Sequence, residues 1–333
     1  MTVIPPGSPD AGSTHLAPPA PAAPSAPRSP IHPYARVALF LLGYLLVAIL
    51  LSVAAVIAGG ILDALGVVTL PTIDEELLAA GTKGIMEWVS QFMLPIAILT
   101  GLYSIGYTWA FVHLIDRRRL RTLGLERRPG WSRQFGKGAG LAFVILLGVF
   151  LLSLATGSLE LRGFTRPAPD TSSVAGYLVG ALVAFLLVGF YEELMFRGYV
   201  LQVLNERAGR AASIAVSSIV FALMHGANPG ADITAIVNVT AVGVLLSFLY
   251  FRTGSLWMPI GFHFGWNFLL GYVFTLPVSG LPMRGILDVV EVAGPGGAPG
   301  RYGPESSIAT TLALGIWAAW LLIRRSRRRS DSA

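Results

Sequence analysis

Two adjacent glutamates, Glu192 and Glu193, stand at the end of a long apolar run, and Arg197 follows four residues after Glu193. An ionised side chain at the centre of a bilayer costs at least about 2.5–3.5 kcal/mol on insertion scales, so such residues usually face a wet cavity and serve a function. On a helix, Glu193 and Arg197 share a face in the order that favours an ion pair. Glu192 is rotated by about 100° from its neighbour. We therefore expect Arg197 to hold Glu193 and Glu192 to face the cavity. The alternative is that Arg197 extends to the membrane interface and both acids lie among headgroups.

Two of the five histidines, His225 and His263, also lie in apolar runs, and Asn267 follows His263 by four residues. Taken singly, each has an ordinary interpretation as a hydrogen-bonding residue at a helix end or between helices. Taken together, one carboxylate, two imidazoles and one carboxamide on three predicted spans are sufficient to activate a water molecule and stabilise an oxyanion. The set therefore predicts hydrolytic chemistry within the membrane.

The composition indicates the medium in which these residues work. The chain has 333 residues, of which 54% are hydrophobic and 13% charged, whereas about a quarter of the residues of a soluble domain are charged. Backbone groups in lipid must be satisfied within their own segment, and the apolar runs lack the alternation of barrel strands, so helices are the expected spanning form. The absence of cysteine excludes disulfides, thiolate metal sites and a cysteine nucleophile. The sequence predicts an all-α polytopic membrane protein.

Hydropathy predicts about eight transmembrane helices. The candidate spans are 37–62, 88–115, 138–156, 174–196, 211–225, 233–251, 256–276 and 308–323. Cations then fall in loops and a tail on one side of the membrane, whereas the first loop on the other side is acidic. The positive-inside rule gives both termini in the cytoplasm. The cations on that side are Arg117, Arg118, Arg119, Arg121, Arg127, Arg128, Arg133, Lys137, Arg207, Arg210, Arg252, Arg324, Arg325, Arg327, Arg328 and Arg329.

The chain divides into three regions. Residues 1–33 are rich in Pro, Ala and Ser and predict a disordered cytoplasmic tail. Residues 34–323 form the predicted transmembrane domain, and residues 324–333 form a basic cytoplasmic tail. Two amphipathic stretches, 120–137 and 198–210, are expected either to lie on the inner leaflet or to be simple connectors.

The depth of the predicted site presents a geometric difficulty. His225 lies about 22 Å along its helix from Arg210, whereas Glu192 is shallow by the predicted span limits. The two residues can meet only if the Glu192 helix ends inside the membrane envelope, or if the predicted fifth span is tilted or begins deeper. We expect a cavity open to the cytoplasm.

Three short motifs occur in order: Glu192-Glu193-x-x-x-Arg197, Phe221-x-x-x-His225 and His263-x-x-x-Asn267. Together they resemble the signature of the CPBP family of CAAX-processing and bacteriocin-processing intramembrane proteases, also called the Abi family. The resemblance covers about residues 170–275, and each motif alone is weak. It implies an eight-helix intramembrane endopeptidase with a CAAX-prenyl-protease-like core.

The resemblance also implies roles for the residues. Glu192 and His225 would activate the attacking water, and His263 and Asn267 would stabilise the oxyanion. Glu193 and Arg197 would support the site.

The residues are compatible with catalysis either with or without a metal. Family members have been described as metalloproteases, and Glu192, His225 and His263 could bind Zn²⁺ with one open position. We favour metal-free glutamate/histidine catalysis, because no H-E-x-x-H motif is present and nothing in the ligand set demands a metal.

Other functional classes also remain. Intramembrane acids and histidines occur in proton-coupled carriers, and a non-catalytic membrane scaffold or immunity protein is a further alternative. The expected partners are the lipid bilayer and a membrane-associated protein or peptide substrate, without nucleic acid. The expected location is a bacterial-type cytoplasmic membrane.

Overall fold

The computed structural model describes residues 29–67, 93–165, 174–292 and 302–330. The described chain is mostly helical, with eight α-helices. Most of the predicted N-terminal tail, the acidic first loop and the last three residues lie outside the described ranges. The α-helices are α1 (Pro33–Ala64), α2 (Met93–Leu114), α3 (Trp131–Ala155), α4 (Val174–Glu193), α5 (Leu201–His225), α6 (Ile233–Thr253), α7 (Trp257–Asn267) and α8 (Ile308–Ser330).

Five helical stretches of the described chain are long and apolar enough to cross a membrane. The chain is therefore a mostly helical integral membrane protein, and the predicted count of eight spans stays a prediction. Helix α7 has 11 residues, and a π-helical segment, Phe268–Val273, continues it. The five stretches are Pro33–Ala64, Leu94–Leu114, Trp131–Ala155, Leu178–His225 and Ile233–Thr253, and Ile308–Ala319 is a shorter apolar helix.

Helices α4 and α5 are joined without a loop. A π-helical segment, Leu194–Val200, continues α4 directly into α5, and the helical dihedral angles are interrupted only at Gly209 (φ 75°, ψ 170°). This positive φ is accessible to glycine at little cost. A straight helix would separate Glu192 from His225 by about 50 Å, yet the two side chains lie 3.6 Å apart. The chain therefore reverses at Gly209, and the predicted fourth and fifth spans are the two arms of this hairpin.

Both amphipathic stretches are at least partly helical. The stretch 198–210 continues the helical arm that leads to Gly209, and its expected position on the inner leaflet stays a prediction. Helix α3 begins at Trp131, so the second half of the stretch 120–137 is helical as well. Polar side chains mark the end of an apolar run, but they do not end a helix, whose backbone hydrogen bonds continue into water.

A small sheet is absent from the all-α prediction. Strand β1 (Leu159–Phe164) pairs antiparallel with β2 (Leu287–Glu291), with an irregularity between Leu161 and Gly163. The strands are short and lie 123 or more residues apart in sequence. Local periodicity gives little indication of such a pair.

Glycines allow α7 to approach its neighbours closely. A Cβ on Gly261 would lie 2.1 Å from the carbonyl oxygen of Phe135 in α3, and one on Gly265 would lie 3.0 Å from Cα of Ala139. On the α4 side, a Cβ on Gly189 would lie 3.0 Å from the backbone nitrogen of Phe264. Small residues of this kind bring helix backbones together in membranes. They fix the height and rotation of α7 relative to α3 and α4.

The basic segments gather at one end of the bundle. The backbone nitrogen of Leu256, before α7, donates to the carbonyl of Gly124 at 2.9 Å. Arg36, at the start of α1, pairs with Asp116 at 3.1 Å and with Glu206 of α5. The start of α1, the segments around residues 116–126, the α5 arm before Gly209 and the α6–α7 turn therefore lie together.

Candidate active site

Glu193 and Arg197 form a fully buried ion pair. Arg197 Nη1 donates to Glu193 Oε1 at 2.9 Å, and both side chains are 0% exposed. The second Arg197 amino group donates to the carbonyl of Gly243 at 3.2 Å, and the guanidinium lies 4.3 Å from the ring centre of Phe221. Arg197 thus points into the protein and ties α4 to α5 and α6. It does not extend to the membrane interface.

Two of the three α-helices that bear site residues, α4 and α7, change to π-helical geometry at their last residue. The segment Leu194–Val200 follows Glu193, and the segment Phe268–Val273 follows Asn267. A π-helical turn widens the helix and is frequent at functional sites. The first segment is buried throughout.

The Glu192 carboxylate lies close to the imidazole rings of both histidines. Its Oε2 atom lies 3.6 Å from Nε2 of His225 and 3.7 Å from Nε2 of His263. These separations exceed a direct hydrogen bond and are those at which a bridging water is to be considered. Glu192 Oε2 is buried and has no hydrogen-bond partner in the described protein. A buried acceptor of this kind is costly unless a water or a substrate group satisfies it.

The other nitrogen of each ring is already engaged. Nδ1 of His225 lies 2.9 Å from the carbonyl oxygen of Phe221, which can only accept, so Nδ1 donates. Nδ1 of His263 donates to Glu193 Oε1 at 2.9 Å. In their neutral forms both rings therefore present the lone pair of Nε2 towards Glu192. Glu193 thus orients His263 while it pairs with Arg197.

Asn267 lies on the wall of a cavity of about 30 Å³, which has room for a water molecule. His225 and His263 line the same cavity, so each histidine contacts both Glu192 and this space. Asn267 is buried, with 5% of its surface exposed. The structure thus joins five of the six predicted residues through ion-pair or near-contact distances, and Asn267 lines the same cavity as the two histidines.

The sequence prediction missed Glu305, which lines the same cavity. Glu305 is 8% exposed, accepts from the indole of Trp266 at 3.1 Å, and accepts from the hydroxyl and the backbone nitrogen of Ser279. Burial raises the pKa of Glu305 above its ordinary value, and hydrogen bonds from Ser279 oppose this in part. The only sequence signal is a lone carboxylate shortly before the last apolar run.

The described residues do not contain a preformed metal site. No group of three or more His, Cys, Asp or Glu side chains within the described ranges has the arrangement needed to hold a metal ion. Glu192, His225 and His263, the zinc ligands considered from the sequence, converge, with 3.6 and 3.7 Å between the carboxylate oxygen and the two Nε2 atoms. No step below passes through a metal.

Comparisons with known proteins point to one family. Residues 174–269 match the family model described as type II CAAX prenyl endopeptidase Rce1-like. The match begins with α4 and includes Glu192, Arg197, His225, His263 and Asn267.

Two curated relatives are each 25% identical to the chain. "Putative membrane peptidase YdiL" of Bacillus subtilis (strain 168) aligns over 159 residues, 45% of this chain and 61% of that protein. "Uncharacterized 24.3 kDa protein" of Escherichia coli aligns over 194 residues, 54% of this chain and 86% of that protein. The chain thus spans less than two thirds of the first relative. The resemblance inferred from the three motifs is confirmed: over residues 174–269 this chain is similar to the Rce1-like type II CAAX prenyl endopeptidases.

Proposed function

We propose that the protein is an intramembrane endopeptidase of the CPBP type that hydrolyses a peptide bond of a membrane-associated protein or peptide. One observation carries this proposal. The buried, unpartnered Oε2 atom of Glu192 lies 3.6 and 3.7 Å from the Nε2 atoms of His225 and His263. A water between these groups would be polarised by one carboxylate and oriented by two imidazoles. Similarity to the Rce1-like family supports the same class of reaction.

Glu192 and His225 activate the water in this proposal. The Glu192 carboxylate accepts a proton from the water as its oxygen attacks the carbonyl carbon of the scissile bond. The lone pair on His225 Nε2 accepts the second hydrogen bond of the water and orients it. When the tetrahedral intermediate collapses, the C–N bond breaks and Glu192 returns the proton to the leaving amine. The products are a new carboxyl terminus and a new amino terminus.

His263 and Asn267 stabilise the oxyanion of the tetrahedral intermediate. Asn267 lines the cavity, and its amide offers two N–H donors. His263 acts here as the doubly protonated imidazolium, because Nδ1 already donates to Glu193 and only the protonated ring carries a proton on Nε2. Removing one donor of this type from a protease typically costs about 10²–10³ in kcat.

The proposed topology has eight spans with both termini in the cytoplasm of a bacterial-type cell. The clustering of basic segments at one end of the bundle supports this orientation, because cytoplasmic loops carry an excess of Lys and Arg. His263 lies six residues, or about 9 Å, inside α7 from that end. The proposal therefore locates hydrolysis within the membrane, in a cavity reached from the cytoplasm.

The experiment that tests the function compares peptide termini in membranes of cells that express the wild type or Glu192→Gln at equal levels. Glu160→Gln, at an exposed glutamate of β1, is the matched control. We expect new termini with the wild type and the control that are absent with Glu192→Gln. Identical profiles in all three strains, under conditions where the wild type produces a phenotype, would contradict proteolysis. Proton-coupled flux into vesicles that depends on Glu192 would then indicate a carrier.

A further inference from the structure

The buried segment Tyr302–Ser307 contributes Glu305 to the wall of the cavity, and it lies beyond residues 174–269. All six of its residues are buried, although the segment connects two elements and is not part of a long helix. Its backbone is anchored on α6, where the Asn238 amide donates to the carbonyls of Glu305 and Ser307 at 2.9 and 3.0 Å. Asn238 is in turn oriented by the hydroxyl of Thr311 at 2.8 Å. This anchoring directs the Glu305 side chain into the cavity.

Both carboxylate oxygens of Glu305 have defined partners. Oε1 accepts from the indole nitrogen of Trp266 at 3.1 Å, and Oε2 accepts from the Ser279 hydroxyl at 3.1 Å and from the Ser279 backbone nitrogen. Trp266 belongs to α7, immediately before Asn267, and Ser279 lies in the turn that follows this region. Glu305 therefore joins the end of α7 to that turn across the cavity. Within the described chain it forms no ion pair with a cation.

We infer that Glu305 is a positioning residue, which holds Trp266 and thereby keeps the neighbouring Asn267 directed into the cavity; this inference rests on the proposed function. Asn267 is the last α-helical residue before the π-helical segment Phe268–Val273, where the helix changes its pitch. The side chain at such a junction is set by the contacts of its neighbours. Trp266 directly precedes Asn267 and both line the cavity, so the bond between Trp266 and Glu305 restrains the helix at the position where Asn267 enters the cavity wall.

Glu305→Gln and Trp266→Phe test the two ends of this bond. Glutamine keeps the size of the side chain, but it replaces one acceptor oxygen by a donor NH₂ that must face the N–H of Trp266 or of Ser279. Phenylalanine keeps a ring and removes the donor. On a membrane-reconstituted peptide whose cleavage depends on Glu192, each change is expected to lower kcat by roughly 10–100-fold, the effect usual for residues that orient a site, while KM changes less than about twofold.

The double variant separates a shared role from two independent defects. If Glu305 acts through Trp266, the double variant loses no more kcat than the more affected single variant, because both changes break the same bond. Multiplied losses, or kcat values equal to that of the wild type, would overturn the inference. Glu291→Gln is the control for loss of a half-buried carboxyl group outside the cavity.

Hydrogen exchange gives a readout that does not require activity. Glu305→Ala is expected to speed amide exchange at Ser279 and at the end of α7, with little change in α2 or α3. Unchanged exchange there would contradict the proposed restraint whether or not the protein cleaves peptides. Failure of the wild type to cleave would instead overturn the proposed function, and a full rate in Glu305→Gln would overturn only the role of Glu305.

Discussion

Glu192 Oε2 lies 3.6 Å from His225 Nε2 although 33 positions separate the two residues in the sequence. The contact arises because the helical hairpin has arms of nearly equal length, with 17 positions from Glu192 to Gly209 and 16 from Gly209 back to His225. At 1.5 Å per residue, each arm is about 25 Å long. The difficulty raised by the predicted span limits therefore disappears, because the Glu192 helix continues well past the end of its apolar run.

Arg197→Ala is expected to destabilise the protein strongly. The change leaves the Glu193 carboxylate fully buried without its cation, and breaking a buried pair by removing one partner typically costs about 3–5 kcal/mol. Thermal unfolding in detergent should show a markedly lower Tm. Arg162→Ala breaks an exposed pair with Glu160 and should leave the Tm nearly unchanged. Equal Tm values for the two variants would mean that the buried pair does not hold α4 in place.

Gly261→Ala should impair the site without touching it. A Cβ there would lie 2.1 Å from the carbonyl oxygen of Phe135, so α7 must move away from α3 and carry His263 and Asn267 with it. Overpacking of this kind typically costs about 1–3 kcal/mol. Gly140→Ala in α3 is the control, because its Cβ would meet nothing within 4 Å. A Gly261→Ala protein with the stability and cleavage rate of the wild type would contradict the close packing.

The raised pKa of Glu291 predicts that the stability of the protein depends on pH. Burial raises the pKa of Glu291 to about 7, compared with 4.5 ordinarily, so the folded state favours the protonated carboxyl group. The contribution of Glu291 to the free energy of unfolding is full below about pH 4.5 and is lost as the pH rises through about 7. Glu291→Gln keeps the neutral form at every pH, so its Tm should exceed that of the wild type at pH 8, and this excess should shrink towards pH 4.5. The exposed Glu160→Gln should show no such trend, and a difference for Glu291→Gln that is independent of pH would refute the assignment.

Metal analysis is expected to find less than one equivalent of tightly held zinc in the purified protein, with turnover unchanged by chelators. This expectation follows from the donor arrangement, because no three-residue group in the described chain fits a metal ion. Stoichiometric zinc that is lost together with activity, and restored together with it, would reverse the prediction. Glu192→Gln is the control, since it removes one of the three candidate ligands.

The periodicity of a helix was sufficient to predict which site residues of one helix lie on the same face. Spacings of four predicted that Glu193 pairs with Arg197 and that His263 shares a face with Asn267, and these relations are local properties of a helix. Contacts between different helices could be expected only from the three motifs taken together. The spacing of residues within one helix does not show which faces of two helices pack against each other. The roles of these residues stay predictions.

Features that depend on distant contacts could not be predicted. Glu305 is buried because Asn238, Trp266 and Ser279, between 26 and 67 positions away, supply its surroundings. The reversal at Gly209 depends on one dihedral angle inside a stretch whose composition suits a helix. The β1–β2 pair joins segments on either side of residues 174–269.

The most direct test of the account is the cleavage rate of purified protein in proteoliposomes, measured on the peptide identified from the membrane termini. Wild type, Glu192→Gln and the exposed control Glu160→Gln are compared at equal amounts of folded protein. The account predicts hydrolysis by the wild type and the control, and a fall of at least about 10²-fold for Glu192→Gln, because a positioned general base typically contributes 10²–10⁴-fold. Equal rates in all three proteins would contradict the assignment of Glu192 as the residue that activates water.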